Sequence, residues 1–181
     1  MSVLKVFKEN ESTPFESFTD HAEIANRLEQ AGVIFEKWKA EKQLSAQATQ
    51  EETLAAYKNS VERLMQERGF LSADVISLTP ALEGHQDLRK KFLSEHIHSE
   101  DEARFFIDGK GLFYVHIEQM VYAIMCEAGD LINVPEGTRH WFDMGPQPFF
   151  KCIRMFTNKT GWEASYTGSA IAEYIPKFDE F

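Results

Sequence analysis

The sequence predicts a mainly β chain with helical additions near its N-terminus, α+β by content, and three observations lead there. From Glu102 onward, short apolar runs recur between Gly, Asn and Asp turns spaced about every ten residues, the pattern of an antiparallel sandwich or barrel. Before residue 70, two segments carry helical periodicity behind capping residues. At 181 residues the chain has the length of one domain with a sizeable core. The expected organisation is a single domain over 1–181. Within it, 1–70 supplies helical and strand additions, 71–160 a barrel, and 161–181 a segment packed back on the barrel.

Taken in order, residues 2–8 (SVLKVFK) alternate weakly and predict an edge strand. Asp20 and Glu23 form a capping pair ahead of Ile24, Leu28 and Ala31 at helical spacing, and Gly32 stops the helix. Val33, Phe35 and Trp38 suggest a short strand. Thr49 and Glu52 open a longer helix whose stripe Leu54, Tyr57, Val61, Leu64 and Met65 runs to Gly69 as core packing. Residues 74–79 (DVISLT) read as a strand ended by Pro80, and 83–93 as a short helix.

The barrel strands are expected over 102–107, 112–117, 120–126, 131–134, 140–143 and 149–156. Their turns fall at Asp108-Gly109, Ala128-Gly129-Asp130 and Met144-Gly145-Pro146. Trp162, Tyr166, Tyr174 and Phe178 make the last stretch too aromatic for a disordered tail.

A formal charge of -10 argues against nucleic acid or an anionic membrane as partner, since both require a basic footprint. A small anionic substrate remains open, because a local Arg or a metal reverses the field inside a pocket. Residues 1–10 hold no signal-like apolar run, and nowhere is there the roughly 18-residue apolar stretch of a spanning helix, so the cytoplasm is the expected compartment. Cys126 and Cys152 lie in apolar segments without a close-spaced partner and are expected as buried free thiols.

The chemistry-bearing stretch is His96-Ile-His98-Ser-Glu-Asp-Glu102. On a strand, His96 and His98 project from one face, and Glu102 follows just past a corner. A second block, Gly129 to His140, offers a fourth side chain, His140. Three neutral imidazoles and a carboxylate make a nitrogen/oxygen site suited to Fe, Ni, Mn, Cu or Zn. His21, His85 and His116 lack such context and are expected to be structural or exposed.

If Glu102 faces the ion, parity sends Arg104 and Phe106 to the same interior face. A buried guanidinium needs an anion, so Arg104 is a candidate to hold a deprotonated substrate oxygen; pairing with Glu100 or Asp101 is the alternative. Phe142 shares parity with His140, and Phe92 shares it with His96 and His98 if that strand begins early. Either aromatic could wall an apolar pocket, and core packing explains each equally well. Arg154 is a candidate for the pocket mouth. Glu95 and Asp101 are expected to support the ligands from behind, Glu95 as acceptor for an imidazole N–H.

The two blocks, His96-x-His98-x3-Glu102-x6-Gly109 and Gly129-x5-Pro135-x-Gly137-x2-His140, resemble the paired signature of the cupin superfamily. Met144 departs from an Asn often found four after the last His. The words EHIHSEDEARFFIDGKGLFYV (95–115), DLINVPEGTRHWFDMG (130–145) and IRMFTNKTGW (153–162) narrow this to a likeness with the acireductone dioxygenase family of methionine salvage. The likeness is strong across the barrel and looser over the N-terminal part.

The resemblance implies a cupin jelly-roll barrel and one Fe(II) or Ni(II) ion per chain on His96, His98, Glu102 and His140. It assigns Arg104 to a substrate oxygen and adds Trp162 to the pocket for a thioether tail. It further implies O2-dependent cleavage of 1,2-dihydroxy-3-keto-5-methylthiopentene, bound as an enediolate dianion. The products would be formate and 4-methylthio-2-oxobutanoate with Fe(II), or formate, carbon monoxide and 3-methylthiopropanoate with Ni(II). Another metallo-cupin oxygenase or isomerase would share the ligands, and a non-catalytic cupin would leave them idle. A monomer is expected, since no interface stripe is left over.

Overall fold

The structure is a computed structural model describing residues 1–45, 47–158 and 163–181. It is mostly β sheet with some helices. The elements are β1 (Val3–Lys8), β2 (Glu16–Phe18), α1 (His21–Glu29), β3 (Ile34–Lys37), α2 (Gln50–Ala56), α3 (Lys58–Arg68), β4 (Ser72–Leu78), α4 (His85–Phe92) and β5 (His96–Ile97). They continue with β6 (Glu102–Ile117), β7 (Met120–Glu127), β8 (Asp130–Val134), β9 (Arg139–Asp143), β10 (Phe150–Phe156) and β11 (Ser165–Tyr166), then two 3-10 turns at Ile171–Glu173 and Phe178–Glu180.

The long strand β6 organises both sheets. Its first half pairs with β8 and β10, which carry β3 and β4 at the edges. Its second half pairs with β7 and β9, extending one way through β1 to β2 and the other through β5 to β11. The residues expected as two strands around a turn at Asp108-Gly109 are therefore one strand that changes sheets there. Opposite β10, Asp108 pairs with Lys151 and Phe106 with Cys152, leaving Ile107 as the extra residue of a bulge. The bulge switches which side chains face inward and bends the strand. Gly109 has φ +70, and a Cβ there would sit 1.9 Å from the Phe149 carbonyl oxygen, so this crossing requires glycine.

Three apolar clusters follow from this layout. Leu4, Val6, Phe106, Phe113, Ile124, Phe142 and Phe150 pack between the two sheets. Trp38, Tyr57, Val61 and Leu64 cover Phe105, Leu131, Ile153 and Met155 on the outer face of one sheet. Ile171 and Ile175 cover Phe7, Tyr114 and Trp141 on the other. Ile171 and Ile175 hold the end of the chain against this face, where the Tyr114 hydroxyl donates to the Pro176 carbonyl at 2.7 Å.

Three further sequence expectations are corrected. Residues 3–8 are not an edge strand, because β1 runs between β7 and a short β2 that carries little sequence signal. The helix expected from Thr49 to Gly69 is two, broken at Tyr57 (φ -119, ψ 19), whose ring packs on Phe105 with centroids 4.6 Å apart. The Thr49/Glu52 capping box is present, and Gly69 ends α3 in the left-handed region. Phe92 ends α4 and is not part of an early-starting strand.

Among the described residues, no helix is long and apolar enough to cross a membrane. Cys126 and Cys152 are free and buried, as expected.

Candidate metal centre

His96 and His140 are direct cross-strand partners on β5 and β9. That register sets their rings 4.6 Å apart, and the His98 ring lies 5.0 Å from each. Glu102, first residue of β6, completes the group: one ligand atom from each of His96, His98, Glu102 and His140 lies within 4.8 Å of the others, and all four residues are buried. The sequence spacing thus brings together all four side chains that it predicted.

The imidazoles are held alike. Nδ1 of His96, His98 and His140 stands 2.7 Å from the carbonyls of Ser94, Glu163 and Thr138, respectively. A carbonyl only accepts, so each Nδ1 carries the proton and each neutral ring turns an Nε2 lone pair inward. Oε2 of Glu102 lies 3.2 Å from His98 Nε2 and 3.1 Å from His140 Nε2. Lone pairs converging at that distance repel unless a cation stands among them, so these residues fit a divalent ion bound through three nitrogens and one oxygen.

The electrostatics of His96 and Glu102 agree, and His98 shifts the other way. Burial and the neighbouring His140 push His96 down to about 4, keeping it neutral and able to ligate. Burial lowers His98 too, but its contact with Glu102 outweighs this and raises it. Burial opposes ionisation of Glu102, yet the Arg104 guanidinium beside it holds it well below the usual carboxylate range.

Arg104 shares the inner face of β6 with Glu102, as parity predicted, and its Nη2 donates to Glu102 Oε1 at 2.9 Å. The guanidinium also sits 4.8 Å from the Phe142 ring centroid and 5.3 Å from that of Phe113. The alternative partners are engaged elsewhere: Glu100 accepts from Thr157 and Asn158, and Asp101 from Asn133 and the Glu136 amide.

These groups line a cavity of about 540 Å³ that also includes Phe92, Phe142 and Arg154. Arg154 is opposite Arg104 across β10 and β6, and on its other side Asp74 accepts from it through both oxygens at 2.9 and 2.6 Å. Two guanidiniums in cross-strand register repel; Asp74 and Glu102 offset them, and an anionic ligand between them would do so further. Trp162 lies outside the described residues.

Two expected supports act elsewhere. Glu95 does accept an imidazole N–H, but from His116 at 2.6 Å and not from a member of the cluster, because the backbone carbonyls already hold those rings. Among the described residues Asp101 makes no hydrogen bond or ion pair to the four side chains; it ties Asn133 to the Glu136 amide. The sequence reading missed Tyr166, whose ring meets His96 edge-on at 5.9 Å, and Lys91 and Asp74 on the cavity wall. It also missed the carbonyls behind the imidazoles, although Ser94 and Thr138 each stand two residues before a ligand-type His.

A family model described as the ARD/ARD' family matches residues 4–164. The chain belongs to this family. Among ARD/ARD' relatives, the acireductone dioxygenase of Hahella chejuensis is 51% identical, over 99% of this chain and 97% of its own. That of Aquifex aeolicus is 48% identical, over 99% and 98%. The solved structure of a Bacillus anthracis acireductone dioxygenase with a cadmium ion in its active centre matches with a TM-score of 0.79 at 27% identity, covering 92% of this chain and 98% of that one.

Proposed function

We propose that this ARD/ARD' chain is a metal-dependent acireductone dioxygenase of methionine salvage. It cleaves 1,2-dihydroxy-3-keto-5-methylthiopentene with O2. One observation carries the assignment: four inward-facing donors and Arg104 stand together in a chain that matches acireductone dioxygenases over 99% of its length. In this reading His96, His98, Glu102 and His140 hold one Fe(II) or Ni(II) ion, and the ion's identity sets the products. Fe(II) leads to formate and 4-methylthio-2-oxobutanoate, Ni(II) to formate, carbon monoxide and 3-methylthiopropanoate.

When bound there, the ion would supply a Lewis acid for the substrate oxygens and a route for electrons to O2. The protein's part is binding and charge. Arg104, already oriented by Glu102, offsets the negative charge of the enediolate on the remaining side of the cavity. Its fixed position costs no reorganisation during turnover. Phe92 and Phe142 wall off water and take the thioether tail, while Arg154 flanks the mouth. The Nδ1–carbonyl bonds keep all three imidazoles in the ligating tautomer throughout.

The fold accompanying this reading is one cupin domain, a jelly-roll barrel over 71–160, working as a cytoplasmic monomer. A 16-residue strand shared by two sheets, with the site between them, supports the barrel. Metal analysis of protein purified without oxygen tests the ligand set. Near one Fe or Ni per chain in the wild type and a loss in His98→Ala is the expected result. Equal metal content in the two would return the chain to a cupin of another kind.

A further inference from the structure

Three cations fill the last turn of α4, and two of them are held. Arg89 is bound by Asp143 at 2.6 and 2.9 Å, and Lys90 meets Asp87 at 3.1 Å. The third, Lys91, has no ion-pair partner among the described residues, and it lines the cavity that contains the four clustered donors. Phe92, the next residue, is part of the same wall, and the Arg89–Asp143 bond pins this turn of α4 to the end of β9. Lys91 is therefore an exposed charge at a fixed place on the rim. The other cations of the lining, Arg104 and Arg154, are each matched by a carboxylate, Glu102 and Asp74.

The body of the molecule repels anions, with a formal charge of -10. An enediolate dianion approaching it meets an unfavourable field everywhere except near a locally positive mouth. We propose that Lys91 is the residue that draws the anionic substrate to this mouth and orients its approach. This rests on the acireductone reading only for the identity of the anion. A cation on the rim acts in capture, so its removal lowers kcat/KM and leaves kcat, since the chemical step takes place among Arg104 and the four donors. A single charge at the rim is worth about threefold, and its reversal about tenfold. Both effects shrink as salt screens them.

The test compares metal-loaded wild type, Lys91→Gln, Lys91→Glu and Lys90→Gln, with two readouts. One is kcat and kcat/KM for acireductone at low and high ionic strength. The other is calorimetric binding of squarate, a planar dianion with adjacent oxygens, which requires no turnover. The expected result is a graded fall in kcat/KM and in squarate affinity in the two Lys91 variants. The salt dependence flattens in Lys91→Gln and reverses in Lys91→Glu, with unchanged kcat and thermal midpoint, and Lys90→Gln behaves as wild type. Squarate affinity and salt slopes unchanged in Lys91→Glu would overturn the proposal, as would an equal effect from Lys90→Gln. Absence of acireductone turnover in the wild type would instead count against the assigned reaction, and squarate binding would still decide the role of Lys91.

Discussion

Glu102 and Arg104, two residues apart on β6, divide one carboxylate between two tasks. Oε1 receives the guanidinium at 2.9 Å, while Oε2 faces His98 and His140 at 3.2 and 3.1 Å. The residue proposed to hold the ion thus also aims the cation proposed to meet the substrate.

Arg104→Ala separates these tasks. Metal content should stay near that of the wild type, because the four donors remain, while kcat falls roughly a hundredfold as the substrate's charge loses its partner. Arg104→Lys should recover little, since an ammonium cannot reproduce the guanidinium's planar fork. Metal analysis beside steady-state kinetics checks both; wild-type kinetics in Arg104→Ala would remove Arg104 from the reaction.

Gly111 bears on the pocket wall. A Cβ at this position would lie 2.4 Å from Cζ of Phe142, so Gly111→Ala must displace that ring. The expected outcome is a raised KM with metal content retained. Gly109→Ala meets rigid backbone and a positive φ instead, and should cost at least about 2 kcal/mol of stability in denaturant unfolding.

Asp143 is fully buried and is satisfied by Arg89, by the Gly145 amide at 2.9 Å and by the Phe178 amide at 3.0 Å. It joins α4, β9 and the C-terminal segment. Arg89→Met leaves this carboxylate without its counter-charge, and a loss of about 3–5 kcal/mol is expected by denaturant unfolding.

Burial pushes the Cys126 thiol well above its ordinary value, with the nearby Asp130 acting in the same direction, and burial raises Cys152 too. Both folded values are raised above the unfolded value of about 8.5. Their contribution to stability is therefore complete below that pH and declines as pH rises through the folded values. A thiol reagent at pH near 8 should find neither thiol in the folded chain and both in denaturant. Rapid labelling of the folded protein would contradict the burial.

Much of the site was legible in the sequence because strand parity is a local rule. His96 and His98 share a face, Glu102 and Arg104 share another, and His140 carries Phe142 with it. The bulge at Ile107 was not legible, since Asp108-Gly109 satisfies a turn and a sheet crossing equally well. Only the close approach of Phe149 distinguishes the two. The break at Tyr57 depends on Phe105, nearly fifty residues away, and helical periodicity carries no trace of it. Glu95 was read as an acceptor for an imidazole, which it is, but the partner is His116 on another strand. The carbonyls of Ser94, Glu163 and Thr138 were invisible because any residue type supplies one.

The central claim is that one buried site of three imidazoles and a carboxylate turns acireductone over with O2, and that the ion it holds selects the products. The direct measurement strips the metal, restores Fe(II) or Ni(II) separately, and follows loss of acireductone absorbance while identifying what forms. The account predicts turnover with either ion, with 4-methylthio-2-oxobutanoate from the Fe(II) protein and carbon monoxide with 3-methylthiopropanoate from the Ni(II) protein. No loss of acireductone with either ion, in protein shown to have rebound one metal per chain, would contradict it.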